Sequence, residues 1–299
     1  MKIAICIPAL MRTYKKLYHN QLINLFEPNN ADIFIYTSNF NDQLEEEYDI
    51  EDFKREIKSV YGEKLKKINI VTNEFIDNAI LNSRHDSCPK ISLEKIMKNV
   101  DKDPGFIKRK HDWINFYRTH QCNNLVKEYE KENNFKYDFI IKFRPDLQLY
   151  KKLNLSGLDL KDNFLYTFGN NKDQLLHEYK KFGKDFLKES FFSIKNNKYL
   201  DTRHFINTPF SNMFVFAHRD VYDIYSQTYF EFGKLSLESA NDLGKEVLKK
   251  RQEYQIKLNM QKYDIGMCNI MDYPSAIIRD KNKFGYRTVQ KFINIFGGY

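Results

Sequence analysis

Three short apolar runs, each followed by a helical pattern, dominate the first 72 residues of the chain. The runs cover residues 2–7, 31–37 and 67–72 and are rich in isoleucine, as buried strands are. Between the second and third runs, Phe53, Ile57 and Val60 recur at helical spacing. Strands that alternate with helices indicate a parallel sheet with helices on its faces. The sequence therefore predicts an α/β fold with a mostly parallel, Rossmann-like central sheet flanked by helices.

A further apolar run, residues 137–143, leads directly into Arg144, Pro145 and Asp146. Pro145 has no N–H to donate, so strand pairing should stop there. Ligands of open α/β sheets bind beyond the carboxyl ends of the strands, where Arg144 and Asp146 are expected. A guanidinium can fork onto a phosphate, and a carboxylate can hold a divalent cation, so the pattern favours a nucleotide-sugar site. The alternative reading of these residues is a structural ion pair at a strand end.

The polar ends of the first two strands should lie at the same edge, because parallel strands present their carboxyl ends together. Pro8, Ala9 and Arg12 follow the first strand, and Thr37 and Asn39 end the second. From position alone, Arg12 is expected to contact the phosphates or the base of a nucleotide. Thr37 and Asn39 are expected to contact the ribose or the base edge.

The segment from residue 75 to residue 110 has little periodicity and is predicted to be a long excursion over this edge. It contains His85 and Asp86, which are candidates for a His–Asp pair that acts as a catalytic base. The alternative is that both are ordinary surface residues. A helix is well signalled over residues 112–133, and strand candidates follow at 164–168 and 213–217. Asp220 opens a helical pattern after the last of these strands. From residue 235 onward the pattern is mostly helical.

Composition excludes some classes of protein and leaves others open. No apolar stretch approaches the roughly 20 residues of a membrane span, and residues 1–12 do not read as a signal peptide, so a cytoplasmic protein is expected. Four scattered cysteines show no metal-ligand spacing and are expected to be reduced thiols. The net charge of +8 with 20 tyrosines and 25 phenylalanines fits a nucleic-acid-binding protein as an alternative. Most of those aromatics sit in apolar runs, as core residues do, so no nucleic-acid partner is expected.

Three of these runs together resemble a family of polysaccharide glycosyltransferases with the GT-A fold, found in bacterial surface-glycan clusters and large DNA viruses. The motifs are residues 2–7 with Arg12, Thr13 and Tyr14, then residues 32–37, and residues 137–146. The likeness covers roughly the first half of the chain and the block from 213 to 229. It implies that the first strand and its loop hold the base and ribose. It also implies that an acidic motif after a central strand, here Asp146, binds Mn²⁺ or Mg²⁺ on the diphosphate.

The chain departs from the family pattern at two places. Arg144 stands where the family's Asp-x-Asp motif has its first carboxylate, so either Asp146 alone holds the metal or Arg144 replaces part of the metal's charge. Ser211 and Asn212 stand where related sequences place an acid near the acceptor. They remain acceptor-side candidates with His85 and Asp86. For an inverting enzyme the candidate bases are Asp220, Asp223 and the loop of residues 84–86, whereas a retaining enzyme with a front-face mechanism needs no strong base.

The sequence analysis thus predicts a glycosyltransferase that moves a sugar from a nucleoside-diphosphate sugar, expected to be a UDP-sugar, to a glycan hydroxyl. Catalysis is assigned to Asp146, Arg144 and Asp220. The catalytic GT-A-like domain is predicted to cover residues 1–234, with a helical C-terminal extension over 235–299. A sugar-phosphate nucleotidyltransferase and a catalytically inactive glycan- or nucleic-acid-binding protein are the alternatives.

Overall fold

The computed structural model describes residues 1–42, 45–82, 104–158, 160–168, 212–231, 252–270 and 275–277. The strands are β1 (Ile3–Ile7), β2 (Asp32–Ser38), β3 (Phe40–Asn41), β4 (Glu46–Glu47), β5 (Leu65–Val71), β6 (Phe139–Phe143), β7 (Leu147–Leu149), β8 (Phe164–Phe168), β9 (Phe214–His218), β10 (Gly266–Ile270) and β11 (Ser275–Ile277). The helices are α1 (Tyr14–Gln21), α2 (Ile50–Tyr61), α3 (Asn73–Asn82), α4 (Pro104–Glu132), α5 (Arg219–Ser226) and α6 (Gln252–Lys262), and a π-helical turn, Leu22–Phe26, continues α1.

Seven of the strands form one central sheet, in the order β10-β8-β9-β6-β1-β2-β5. Strand β9 runs antiparallel to both of its neighbours, and the other neighbouring pairs in this sheet are parallel. The carboxyl ends of β1, β2, β5, β6 and β8 therefore share one edge with the beginning of β9. We call this the carboxyl edge, and the opposite one the amino edge.

Side-chain alternation along the strands divides the core into two layers, one on each face of the sheet. Odd-numbered residues of β1, such as Ile5, pack with apolar side chains of α1 and α2. Even-numbered residues, such as Cys6, pack with α4, α5 and α6. Both faces are covered, which explains why these strands read as continuous apolar runs.

The structure confirms the predicted α/β class with a mostly parallel sheet between helices. The predicted helix over residues 112–133 lies within α4, and the strand predicted at 164–168 is β8. Helix α3 lies where fading periodicity had suggested irregular chain. The C-terminal part holds helix α6, as expected, and also β10, which completes the central sheet beside β8. The predicted domain boundary at residues 234/235 lies outside the described residues.

Cys6, Cys122 and Cys268 are buried free thiols, as the scattered spacing predicted. Within the described ranges, no helix is both long and apolar enough to cross a membrane.

Candidate functional site

The turn after β6 brings Asp146 back toward the sheet. Pro145 fits the second position of such a turn because its φ is already fixed, and the Leu147 amide donates to the Arg144 carbonyl at 3.2 Å. From α1, the Gln21 side-chain amide donates to the carbonyls of Pro145 and Leu147 at 2.8 and 3.0 Å. These bonds fix the backbone on both sides of Asp146. Its carboxylate therefore has a defined position at the carboxyl edge.

Two arginines enclose the Asp146 carboxylate, whose side chain is only 2% exposed. Arg144 donates from Nε to Oδ1 at 2.9 Å and from Nη2 to Oδ2 at 2.5 Å. Arg12, from the loop after β1, donates from Nη1 to Oδ2 at 3.3 Å. As predicted from the sequence, one edge of the sheet brings together Arg12, Arg144 and Asp146.

Arg12 also forms a forked pair with Asp42, from Nε to Oδ1 at 2.7 Å and from Nη2 to Oδ2 at 2.5 Å. Burial lowers the pKa of the Arg12 guanidinium, but the bonds and charges of Asp42 and Asp146 outweigh it and the net shift is upward. The side chains of Arg12 and Arg144 are 17% and 25% exposed, so both guanidinium groups keep some access to solvent. Two arginines and two carboxylates thus form one charge-balanced cluster.

The donor set at this cluster does not fit a divalent cation as it is arranged. Both Asp146 oxygens accept hydrogen bonds from guanidinium groups, which repel a cation. Across the part of the chain that the structure describes, no group of three or more His, Cys, Asp or Glu side chains is arranged to hold a metal ion. The role of Asp146 as a metal ligand stays a prediction, and we derive no step through a metal.

The other residues that were predicted to bind a nucleotide at this edge are buried or half-buried. Thr37 is fully buried, and its hydroxyl donates to the Ser38 carbonyl at 3.2 Å. Asn39 donates from Nδ2 to the Tyr48 carbonyl at 2.9 Å, while its buried Oδ1 accepts no hydrogen bond from any described residue. Pro8 is buried and Ala9 half-buried in the loop that leads to Arg12. Their contacts with a nucleotide stay predictions.

Asn212 lies at the carboxyl edge, just before β9. Its Oδ1 accepts from the buried Lys142 ammonium at 2.6 Å and from the Tyr225 hydroxyl. The Asn212 carboxamide therefore helps to hold Lys142 inside the fold, and its acceptor-side role stays a prediction. The other acceptor-side candidates, His85, Asp86 and Ser211, lie outside the described residues.

The structure does not support Asp220 as a catalytic residue of this site. Strand β9 runs antiparallel to β6 and pairs His218 with Phe139, so α5 begins at the amino edge. Asp220 is 67% exposed there and pairs with Lys136 at 2.5 Å. The five residues of β6 separate it from Asp146 by about 16 Å. The sequence could not show this, because strand direction is set by pairing and not by composition.

Asp223, the neighbouring candidate base, belongs to a structural ion-pair network between α4 and α5. It accepts from Arg219 Nη1 at 2.6 Å and from Asn123 Nδ2 at 2.7 Å. The Arg219 guanidinium is buried and also forks onto Glu130, at 2.8 and 2.9 Å. These contacts leave Asp223 as a helix-packing residue.

Arg118 is a candidate site residue that the sequence analysis missed. It projects from α4, yet it reaches the carboxyl edge and donates from Nη2 to Ser38 Oγ, in the last residue of β2, at 2.8 Å. The sequence contains one indication that Arg118 belongs to the site: it is a cation within a stretch of helix that packs on the sheet.

No family model matches the chain, and no curated protein matches it. Among solved structures, the apo form of mouse xyloside xylosyltransferase 1 is similar, with 9% sequence identity and a TM-score of 0.36 over 90% of this chain and 84% of that one. A TM-score of this size is too low to assign a shared function.

Proposed function

We propose that the carboxyl edge binds a nucleoside-diphosphate sugar and that the protein transfers the sugar to a glycan hydroxyl. A UDP-sugar is the donor we expect from the sequence resemblance. The observation that carries the proposal is the enclosure of the nearly buried Asp146 by Arg12 and Arg144 at the ligand-binding edge of an α/β sheet.

A structural ion pair at a strand end would need only one arginine on Asp146. Arg144 alone already satisfies Asp146 by a fork. Arg12 adds a second guanidinium and is itself aligned by Asp42. Carboxylates that align arginines fix the direction of the remaining N–H groups in advance. Such groups bind a diphosphate with little loss of side-chain entropy.

The chemical difficulty of glycosyl transfer lies in the departure of the diphosphate. The bond from the anomeric carbon to the diphosphate oxygen breaks, and its electron pair stays on the diphosphate. The acceptor hydroxyl oxygen forms the new bond and gives its proton to the departing diphosphate oxygen or to water. Guanidinium groups beside the leaving oxygen stabilise the charge that develops there. We assign this role to Arg144 and Arg12.

Binding is tested by thermal shift and calorimetry with UDP, GDP and CDP, each with and without Mn²⁺. Ligand at about 100 times its dissociation constant adds about 2.7 kcal/mol to the free energy of unfolding, enough for a shift of several degrees. Transfer is tested by release of the nucleoside diphosphate from a panel of donor sugars with glycan acceptors.

Arg144→Gln is the informative variant, and Arg55→Gln is its matched control. Arg55 lies on the exposed face of α2 and pairs with Asp52, so its loss changes the net charge equally without touching the cluster. We expect only Arg144→Gln to weaken nucleotide binding and abolish transfer. Failure of every nucleotide to bind the wild type, together with binding to a labelled oligonucleotide, would refute the proposal and favour the nucleic-acid alternative.

A further inference from the structure

Arg118 carries a buried positive charge that the described part of the chain does not neutralise. The residue is 6% exposed, and its guanidinium forms no ion pair with any described carboxylate. Its buried Nε–H has no hydrogen-bond partner among the residues that the structure describes. A buried charge without a counter-ion is costly, and a buried donor without an acceptor adds to that cost. Both are features of a site that is completed by an anion.

The neutral groups around Arg118 are suited to the same kind of ligand. Ser38 Oγ and Asn73 Oδ1 accept from Arg118 Nη2 at 2.8 and 3.5 Å. With those oxygens turned toward the guanidinium, the Ser38 hydroxyl hydrogen and the Asn73 amide hydrogens remain as donors. Asn73 is also the first residue of α3, where the Thr72 hydroxyl already accepts from the Phe75 N–H at 3.0 Å. Hydrogen-bond donors of the Arg118 guanidinium, the Ser38 hydroxyl and the Asn73 amide therefore lie close together.

The charges around Arg118 are of both signs. Burial lowers the pKa of Arg118 to about 10, and the charge of Arg12 acts in the same direction, against the opposing effects of Tyr36, Asp42 and Asp77. Arg118 thus remains charged at neutral pH. Two turns earlier on α4, the pKa of His111 is lowered by desolvation and by the cations Lys110, Arg118 and Arg12. The charge of Asp42 opposes this shift.

We infer that Arg118, with Ser38 and Asn73, forms a subsite for a phosphoryl group at the carboxyl edge between β2 and β5. A phosphoryl group has the three terminal oxygens that these donors can serve. Strands β2 and β6 are two positions apart in the sheet, which places this subsite about 10 Å from Asp146. It is therefore distinct from the cluster of Arg12, Arg144 and Asp146. The inference does not rest on glycosyl transfer, because any phosphoryl ligand tests it.

Calorimetry and thermal shift with inorganic phosphate test the subsite directly. We expect the wild type to bind phosphate saturably, and Arg118→Gln to bind it at least about tenfold more weakly. Without phosphate, Arg118→Gln should be as stable as the wild type or more stable, because the substitution removes an unpaired buried charge. A purely structural arginine would give the opposite result, a less stable variant. Arg118→Lys keeps the charge and should retain weaker phosphate binding, and Arg55→Gln serves as the remote control.

Competition with nucleotide identifies the source of the phosphoryl group. If it belongs to the nucleotide, phosphate competes with UDP, and Arg118→Gln weakens both. If it belongs to another substrate or to free phosphate, phosphate stabilises the UDP-saturated protein further. Either result supports the subsite. The inference is overturned if the wild type does not bind phosphate, or if Arg118→Gln binds it as the wild type does.

Discussion

Replacing Asp146 with asparagine separates two ways of holding a diphosphate. In the wild type, Arg12 and Arg144 are balanced by Asp42 and Asp146. Asparagine has nearly the same shape but no charge, so the cluster gains one positive charge. If the arginines hold the diphosphate, the variant should bind UDP more tightly. If a metal on Asp146 holds it, the variant should bind UDP more weakly.

The size of the gain follows from Coulomb's law. At a separation of about 7 Å, removal of one negative charge favours each negative charge of the ligand by about 0.6 kcal/mol in a water-like medium and by about 2.4 kcal/mol at an effective dielectric constant of about 20. Even the lower value corresponds to roughly threefold tighter binding. The variant should also unfold more easily, by about 2 kcal/mol, because the bonds from Arg144 and Arg12 lose their charged acceptor. We expect a fall in Tm of roughly 3 °C for a chain of 299 residues.

Calorimetric titration of Asp146→Asn with UDP, with and without Mn²⁺, measures the sign of the effect. Asp220→Asn is the matched control, since it makes the same chemical change at an exposed position on the amino edge and should leave UDP binding unaltered. A wild type that binds UDP only with Mn²⁺, together with an Asp146→Asn variant that does not bind it at all, would refute the arginine-held diphosphate. The same result would restore Asp146 as a metal ligand.

Three further predictions concern the fold. Gly266→Ala should destabilise the protein by about 1–3 kcal/mol in thermal unfolding, because a Cβ there would lie 2.5 Å from ring atoms of the buried Phe164; an unchanged Tm would contradict the tight packing. Glu130→Gln should cost about 3 kcal/mol in urea unfolding, since Arg219 stays buried with only part of its charge compensated, and a loss under 1 kcal/mol would disprove this. Burial raises the pKa of Asp223, but Asn123, Arg219 and Lys127 outweigh it and the pKa is lowered. Its stabilising effect should therefore be complete above the unfolded pKa of about 3.9 and be lost as the pH falls through the lower folded value, and Asp223→Asn should remove that part of the acid dependence.

The sequence predicted the fold where local pattern and buried environment agree. The runs that became β1, β2 and β6 are mostly apolar because both faces of the sheet are covered, so composition identified them as strands. Their parallel pairing was predicted from their alternation with helices. Strand β10 was missed because it lies in a short run beyond a helical pattern, and only pairing with β8 identifies it. Local patterns carry no information about such long-range pairing.

The same distinction applies to the candidate site. Arg12, Arg144 and Asp146 were predicted to meet because each follows a parallel strand, and the shared edge brings them together. Asp220 lies at the amino edge because β9 runs antiparallel to β6, and the residues of a strand do not determine its direction. Arg118 was missed because it acts from a helix, and only the packing of α4 against the end of β2 brings it to the edge.

The reversed direction of β9 also bears on how this chain tolerates insertions. Strand β8 ends, and β9 begins, at the carboxyl edge, so the connection between them has both of its attachment points beside the candidate site. The length of this connection can change without shifting the register of any strand in the sheet. A parallel β9 would have required the connection to run from one edge of the sheet to the other. Insertions at this place in the chain can therefore change the surroundings of the carboxyl edge while the scaffold that holds Asp146 stays the same.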